Sequence, residues 1–141
     1  MTVDPPIDRS RIALGVQQPW AELILRGIKT IEVRSQPTQV RGTIYLYTSK
    51  RPSSLEAAAI AAEAHALNVT ALPAGLLVGT IDILDSRPCT PQDVAASCVP
   101  ADLLVNRHAW IIGRPHRFAK PQPVRFLPYG VWFYPFQRKG Q

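Results

Sequence analysis

Apolar and polar positions change their period twice in the first fifty residues. From Arg11 to Val16 (RIALGV) Ile12, Leu14 and Val16 alternate with smaller or polar neighbours, which predicts a strand. After Pro19, which suits a first helical position, Trp20, Leu23, Ile24 and Gly27 recur at helical spacing, with Glu22 and Arg26 pointing away. Gly27 tolerates the left-handed conformation that ends a helix. The period then returns to two: Ile31 and Val33 fall on one face of a short strand, Thr30, Glu32 and Arg34 on the other, with Lys29 leading in. A polar loop, Ser35 to Arg41, precedes a strong strand over Gly42–Thr48, where Ile44 and Leu46 oppose Thr43, Tyr45 and Tyr47.

The spacing next predicts a helix over Ser53–Leu67, opened by a capping box of Ser53 and Glu56 and carrying a stripe of Leu55, Ala58, Ala59, Ala62 and Ala66. Leu76–Leu84 reads as a long strand whose internal Gly79 marks a bulge or barrel corner. Ser86–Arg107 is punctuated by proline and acidic, with a short helix near Pro91–Ala96, and reads as a peripheral insertion. Ala109–Arg114, Val124–Phe126 and Val131–Tyr134 follow as strands, the last two flanking a turn at Pro128-Tyr129-Gly130. There is no internal repeat and no linker. The elements predict an α+β, mainly β protein: a small, partly open β-barrel of about six strands with two or three flanking helices. Residues 1–10 form a flexible lead-in and residues 11–141 a single domain.

Composition narrows this picture. A chain of 141 residues that is 46% hydrophobic supports a core of its own. No apolar run approaches the roughly 20 residues of a membrane helix, and the first residues, MTVDPPIDRSR, lack a signal peptide's apolar segment. Cys89 and Cys98 have neither a zinc-ribbon nor a disulfide-framework spacing and read as free thiols; His65, His108 and His116 share no metal-ligand pattern with them. The expectation is a cytoplasmic monomer with no cofactor, no metal and no membrane partner.

Charge distribution says more than the net +6. Residues 26–51 carry +5 and residues 107–141 carry +7, whereas residues 52–106 carry −5. Such segregation predicts a basic face built from two distant segments and an acidic face from the middle, and a polyanion such as nucleic acid suits the first. Walker A, G-x-S-x-G, H-E-x-x-H and G-x-G-x-x-G motifs are all absent. Chemistry therefore falls to side chains that hold phosphates and bases. Lys29, Arg34, Lys50 and Arg51 suit phosphate oxygens, with Ser49 beside them. Glu32 suits an exocyclic amine. Trp20, Tyr47, Trp110 and Tyr129 offer stacking surfaces, although each aromatic taken singly fits a core better, Trp110 most of all and Tyr47 least.

Several separated segments together resemble one family. They are Gln18-Pro19-Trp20-Ala21, then Gly27-x-Lys29-Thr30-x-Glu32-x-Arg34-Ser35, Arg41-Gly42, Val78-Gly79-Thr80, His108-Ala109-Trp110-Ile111-Ile112 and Gly130-Val131-Trp132. In order and spacing they resemble the ASCH domain family over roughly residues 11–135. The resemblance implies a PUA-like superfold, a small β-barrel with flanking helices, and association with RNA or another nucleic acid in a cleft beside the barrel. The cleft-lining motif of that family maps onto Lys29, Glu32 and Arg34. One branch similar in fold is an amidohydrolase of a modified nucleoside with a threonine nucleophile; here Glu32 stands in that position, and a carboxylate replaces a hydroxyl poorly in acyl transfer. Other members are linked to cleavage of single-stranded RNA. By that resemblance a metal-independent ribonuclease would draw on Tyr47 and Lys50, helped by Lys29, Arg34 or Glu32, to take up a 2′-hydroxyl proton and stabilise the phosphorane. The leading expectation is single-stranded RNA binding, with the ribonuclease as alternative.

Overall fold

The computed structural model describes residues 3–138. Its frame is one six-stranded sheet of β1 (Ala13–Val16), β2 (Ile31–Arg34), β3 (Gly42–Thr48), β4 (Leu76–Pro88), β5 (His108–Gln122) and β6 (Trp132–Phe133). The spatial order is β2-β5-β4-β3-β1-β6. β1 and β3 run parallel, and every other neighbouring pair is antiparallel. Three helices flank the sheet: α1 (Trp20–Leu25), α2 (Glu56–Ala64) and α3 (Val94–Ser97). The sheet curls into a half-barrel whose two edges are β2 and β6.

Alternation along β3 builds two cores. Ile44 and Leu46 join Leu14, Val16, Leu23, Ile24, Ile81, Ile83 and Trp110 in the larger cluster, while Tyr45 and Tyr47 turn to the opposite face with Leu77, Phe118 and Phe133. Each fully buried Leu or Ile contributes about 1.5–3 kcal/mol of transfer free energy, so the helices dock where those residues sit. Gly79 lies at a register shift in the β4–β5 ladder, and a Cβ there would stand 2.1 Å from the carbonyl oxygen of His116. Only a residue without a side chain lets the two backbones approach this closely.

Several expectations are corrected. β4 and β5 run longer than their sequence signals, because bulges carry the ladder past residues that interrupt it. Between the Asp82–Gly113 and Thr80–His116 pairs, two residues of β5 oppose one of β4, which absorbs Arg114 with its positive φ of 48° and Pro115, which has no N–H to donate. No strand forms over Val124–Phe126; the amides of Arg125 and Phe126 both donate to the Pro135 carbonyl and close a loop. α2 lacks the Ser53–Glu56 box, since Leu55 occupies the cap position. It buries Ala57, Ala58, Ala61 and Ala62, whereas Leu55, Ala59 and Ala66 are exposed.

Glu22 does not point away. It is buried, and its carboxylate accepts two bonds from Arg117 and one from Arg26, each 2.8 Å. Burial alone would raise this carboxyl; the hydrogen bonds from Arg117 and Arg26 more than offset that and hold it below its ordinary value. Nor is the 86–107 segment peripheral. Thr30 N–H donates to Ala96 O at 2.8 Å, and Val99 and Leu104 enter the main core. The acids of the middle stretch do not all form a face of their own. β4 lies between β3 and β5, so Asp82 pairs with Arg114, Asp85 with Arg41 and Asp93 with Arg87. Charges segregated along the chain are knitted together across the sheet and its connections.

The Arg87–Asp93 pair anchors the turn that carries α3. Two 2.8 Å bonds join the side chains, and Thr90 N–H donates to the same carboxylate. Together with burial, which opposes them, the Arg87 bonds hold the Asp93 carboxyl at about 2. A depressed carboxyl stabilises the fold above its unfolded value and loses that contribution as pH falls toward the folded one. Protection factors of the amides in residues 90–98, taken against the intrinsic exchange rate at each pH, should therefore fall as pH drops from about 4 to 2 by more than in an Asp93→Asn variant, which has no charge to lose.

Candidate functional site

The local sequence drops three charged residues into the gap between the sheet edges. Gly27, at φ +74°, ends α1, and the amides of Ile28 and Lys29 both donate to Leu23 O, which turns the chain into β2. The Lys29 side chain is 2% exposed. Its Nζ donates to Ser97 O at 2.5 Å, stands 4.9 Å from the centre of the Trp20 ring and lies 3.7 Å from Glu32 Oε1. Burial pushes the Lys29 amine down from its ordinary value, and Glu32 acts against that.

Glu32 is also buried. Its Oε2 accepts from Arg34 Nε at 2.9 Å and Nη2 at 2.7 Å, so one oxygen is saturated and Oε1 faces only the longer contact with Lys29. Arg34 reaches further, donating from Nη2 to Gly15 O of β1 at 2.8 Å. That bond spans the seam of the half-barrel, from edge strand β2 to β1. A second side-chain bridge lies beside it: Trp132 of edge strand β6 stacks on Trp110 of β5 at 5.5 Å and 13°, with the Arg34 guanidinium 5.6 Å over Trp110. The barrel thus closes through side chains where no backbone ladder forms.

The seam leaves a cleft of about 480 Å3. Trp20, Lys29, Glu32, Arg34 and Ser49 line it, as the residue pattern suggested. Val33 lines it too, although strict alternation puts it on the other face; an edge strand exposes its margin as well as its faces. Tyr47 and Lys50 lie elsewhere, lining with Ser49 a neighbouring recess of about 270 Å3. Arg51 is exposed and lines neither. Tyr47 is 2% exposed and meets Phe133 edge-on at 5.2 Å, so its ring offers no open face for stacking. Trp110 is buried between Arg34 and Trp132.

Other wall residues were not named as site residues, although Gly130-Val131 belongs to one of the family-like segments. Arg107 comes from the basic C-terminal block, Leu103 and Val99 from the segment after α3, and Pro128, Gly130 and Val131 from the turn before β6. Gly15 N–H donates to Val131 O at 3.2 Å, which brings that turn to the cleft. Nothing local in the sequence announces that these residues meet at one cleft, because long-range contacts bring them together. Among the described residues, no group of three or more His, Cys, Asp and Glu could hold a metal ion.

The ASCH domain family pattern matches residues 14–122. The chain belongs to the ASCH domain family. Such domains are linked as a family to RNA binding. The chain is similar to Activating signal cointegrator 1 of Homo sapiens and of Mus musculus, 38% identical over 79 residues in each. That match covers 51% of this chain and only 14% of each relative. Its backbone resembles the crystal structure of an ASCH protein from Zymomonas mobilis, with a TM-score of 0.61 and 13% identity, covering 94% of this chain and 90% of the other. A tyrosine-to-phenylalanine variant of the same Zymomonas mobilis protein gives 0.59 and 12%, covering 93% and 92%. At such identities the likeness speaks to the fold, and the six-stranded half-barrel with three helices is that of these ASCH structures. No helix among the described residues is long and apolar enough to cross a membrane.

Removing Glu32 strands two cations in a largely buried site. A broken buried pair costs about 3–5 kcal/mol, so Glu32→Ala should lower the urea midpoint sharply. Glu32→Gln, which retains an acceptor for Arg34, should lower it less. Equal and small shifts for both would mean that the carboxylate charge is not what holds the seam.

Proposed function

We propose that this ASCH domain binds single-stranded RNA, with one unstacked base held in the seam cleft. The observation that carries this is the pairing of Lys29 Nζ and Glu32 Oε1, 3.7 Å apart in the cleft wall, with exposed cations nearby. An ammonium donor beside a carboxylate acceptor matches an acceptor–donor edge of a nucleobase. Trp20 supplies an aromatic surface, and Leu103, Val99 and Val131 an apolar wall. Arg34 acts from the floor, holding Glu32 through Oε2, while Lys29 Nζ stands beside Oε1 as the donor of the pair. Lys50, Arg51 and Arg107 are exposed and take the backbone phosphates. A cleft this narrow favours an unstacked base over a duplex.

Binding of a short single-stranded oligonucleotide should fall with salt, log K dropping by about 0.7 per phosphate neutralised per decade. Arg107→Ala should weaken binding across sequences and flatten that slope. Trp20 lines the cleft and both other tryptophans adjoin Arg34 or its partner ring, so intrinsic fluorescence reports occupancy. Affinity that is unchanged between 50 and 200 mM salt would overturn the reading.

One observation favours a second reading. Tyr47, Ser49 and Lys50 line one recess, and burial raises the Tyr47 hydroxyl above its ordinary value, which suits a proton donor. In metal-independent cleavage the 2′-hydroxyl gives its proton to a base, here Glu32 beyond the shared Ser49 wall, as its oxygen attacks phosphorus; the 5′-oxygen leaves with the Tyr47 proton, and a cation such as Lys50 offsets the charge of the phosphorane. Labelled single-stranded RNA incubated in EDTA should then be cut by the wild type and spared by Tyr47→Phe and Lys50→Ala. RNA left intact by the wild type removes this reading.

A further inference from the structure

The two recesses are not independent. Ser49 and Pro128 line both, so a common wall separates the 480 Å3 cleft from the 270 Å3 recess. On the cleft side lie the Lys29–Glu32–Arg34 array and Trp20. On the far side lie Tyr47, Lys50 and Leu127. Leu127 is 61% exposed although it borders a concave surface, which leaves apolar area open to a ligand. Gly75 shapes the same end. It has φ +71°, and a Cβ there would stand 3.1 Å from Lys50 Cγ and 3.8 Å from the Tyr47 hydroxyl. The Lys50 stem and the tyrosine hydroxyl therefore both border Gly75, and Lys50 is exposed.

We infer that the two recesses take consecutive nucleotides, so that a dinucleotide step is the unit of recognition. This rests on the reading of the cleft as a nucleotide site. The base of one nucleotide lies in the larger cleft against Trp20 and Glu32. The phosphodiester crosses the common wall, where the Ser49 hydroxyl donates a hydrogen bond and Lys50 supplies charge. The next nucleotide lies over the Leu127 and Pro128 side chains, which offer an apolar surface and no hydrogen-bond donor. Identity is thus read at the first position through Lys29 and Glu32, and the second position tolerates any base.

The arrangement makes affinity depend on length in a stepwise way. A nucleoside monophosphate fills the cleft alone. A dinucleotide gains a second apolar contact and the phosphate interaction, worth about tenfold by the usual size of base contacts. A third nucleotide extends past both recesses, and on this footprint it adds charge alone.

The test is titration of a nucleoside monophosphate, then the di-, tri- and tetranucleotides that extend it, followed by tryptophan fluorescence at constant ionic strength. The wild type should show its largest gain from one nucleotide to two. In Lys50→Ala and in Leu127→Asp the ratio of the two dissociation constants should shrink toward one, whereas Arg107→Ala should lower both affinities and keep the ratio. Both substituted residues of the second recess are exposed, so the fold survives either change. Equal affinity for mono- and dinucleotide, or a ratio unchanged in both recess variants, overturns the two-nucleotide footprint and leaves the cleft reading standing. Failure of every ligand to bind overturns the cleft reading itself and this inference with it.

Discussion

A carboxylate taken out of water must find positive charge, and Glu32 imposes that constraint on everything around it. Its isolated burial would cost several kcal/mol. The compensating groups come from its own stretch of chain, Lys29 before β2 begins and Arg34 at its end, and each is tethered elsewhere. Lys29 reaches the Ser97 carbonyl at the end of α3, and Arg34 reaches the Gly15 carbonyl of β1. One acid thus fixes the distance between β2, α3 and β1. The price of holding that charge is a set of polar atoms that no apolar core would tolerate, and they line a cleft open to solvent.

The open seam follows from the same arrangement. β2 and β6 end the sheet, and exposed strand edges invite pairing with another chain. Here the gap is bridged by Arg34 and by the stacked Trp110 and Trp132, so the edges are occupied without a continuous ladder. Side chains span a wider gap than backbone hydrogen bonds do. The extra width is the volume of the cleft, and its mouth is lined by residues that need no part in the core.

Sequence pattern read the local elements well and the long-range ones poorly, for a physical reason. β3, α1 and the turn at Gly27 depend on period and on one permissive residue, all present within a few positions. The cleft residues of that stretch were legible because an edge strand bearing Lys, Glu and Arg is unusual for packing alone. Glu22 was misread because Arg117, its partner, lies ninety-five residues away. The 86–107 segment looked peripheral because proline and acid dominate it, yet Val99 and Leu104 enter the core and Ser97 offers the carbonyl that Lys29 needs. Arg107 and Val131 reach the cleft through strand pairing that no local pattern encodes. Tyr47 was a plausible stacking residue until Phe133, far along the chain, covered its ring.

The pairing of β1 with both β3 and β6 has a temporal meaning. Ala13 lies opposite Phe133, so one of the first strands to leave the ribosome is completed by one of the last. Contacts of such separation form late in folding, because their loop entropy must be met before they stabilise anything. Gly15 receives the Arg34 bond early in the sequence, but its amide waits for Val131. A nascent chain can therefore assemble most of the sheet while one wall of its cleft is still unmade. Synthesis of the C-terminal turn is the event that turns a folded scaffold into a receptor.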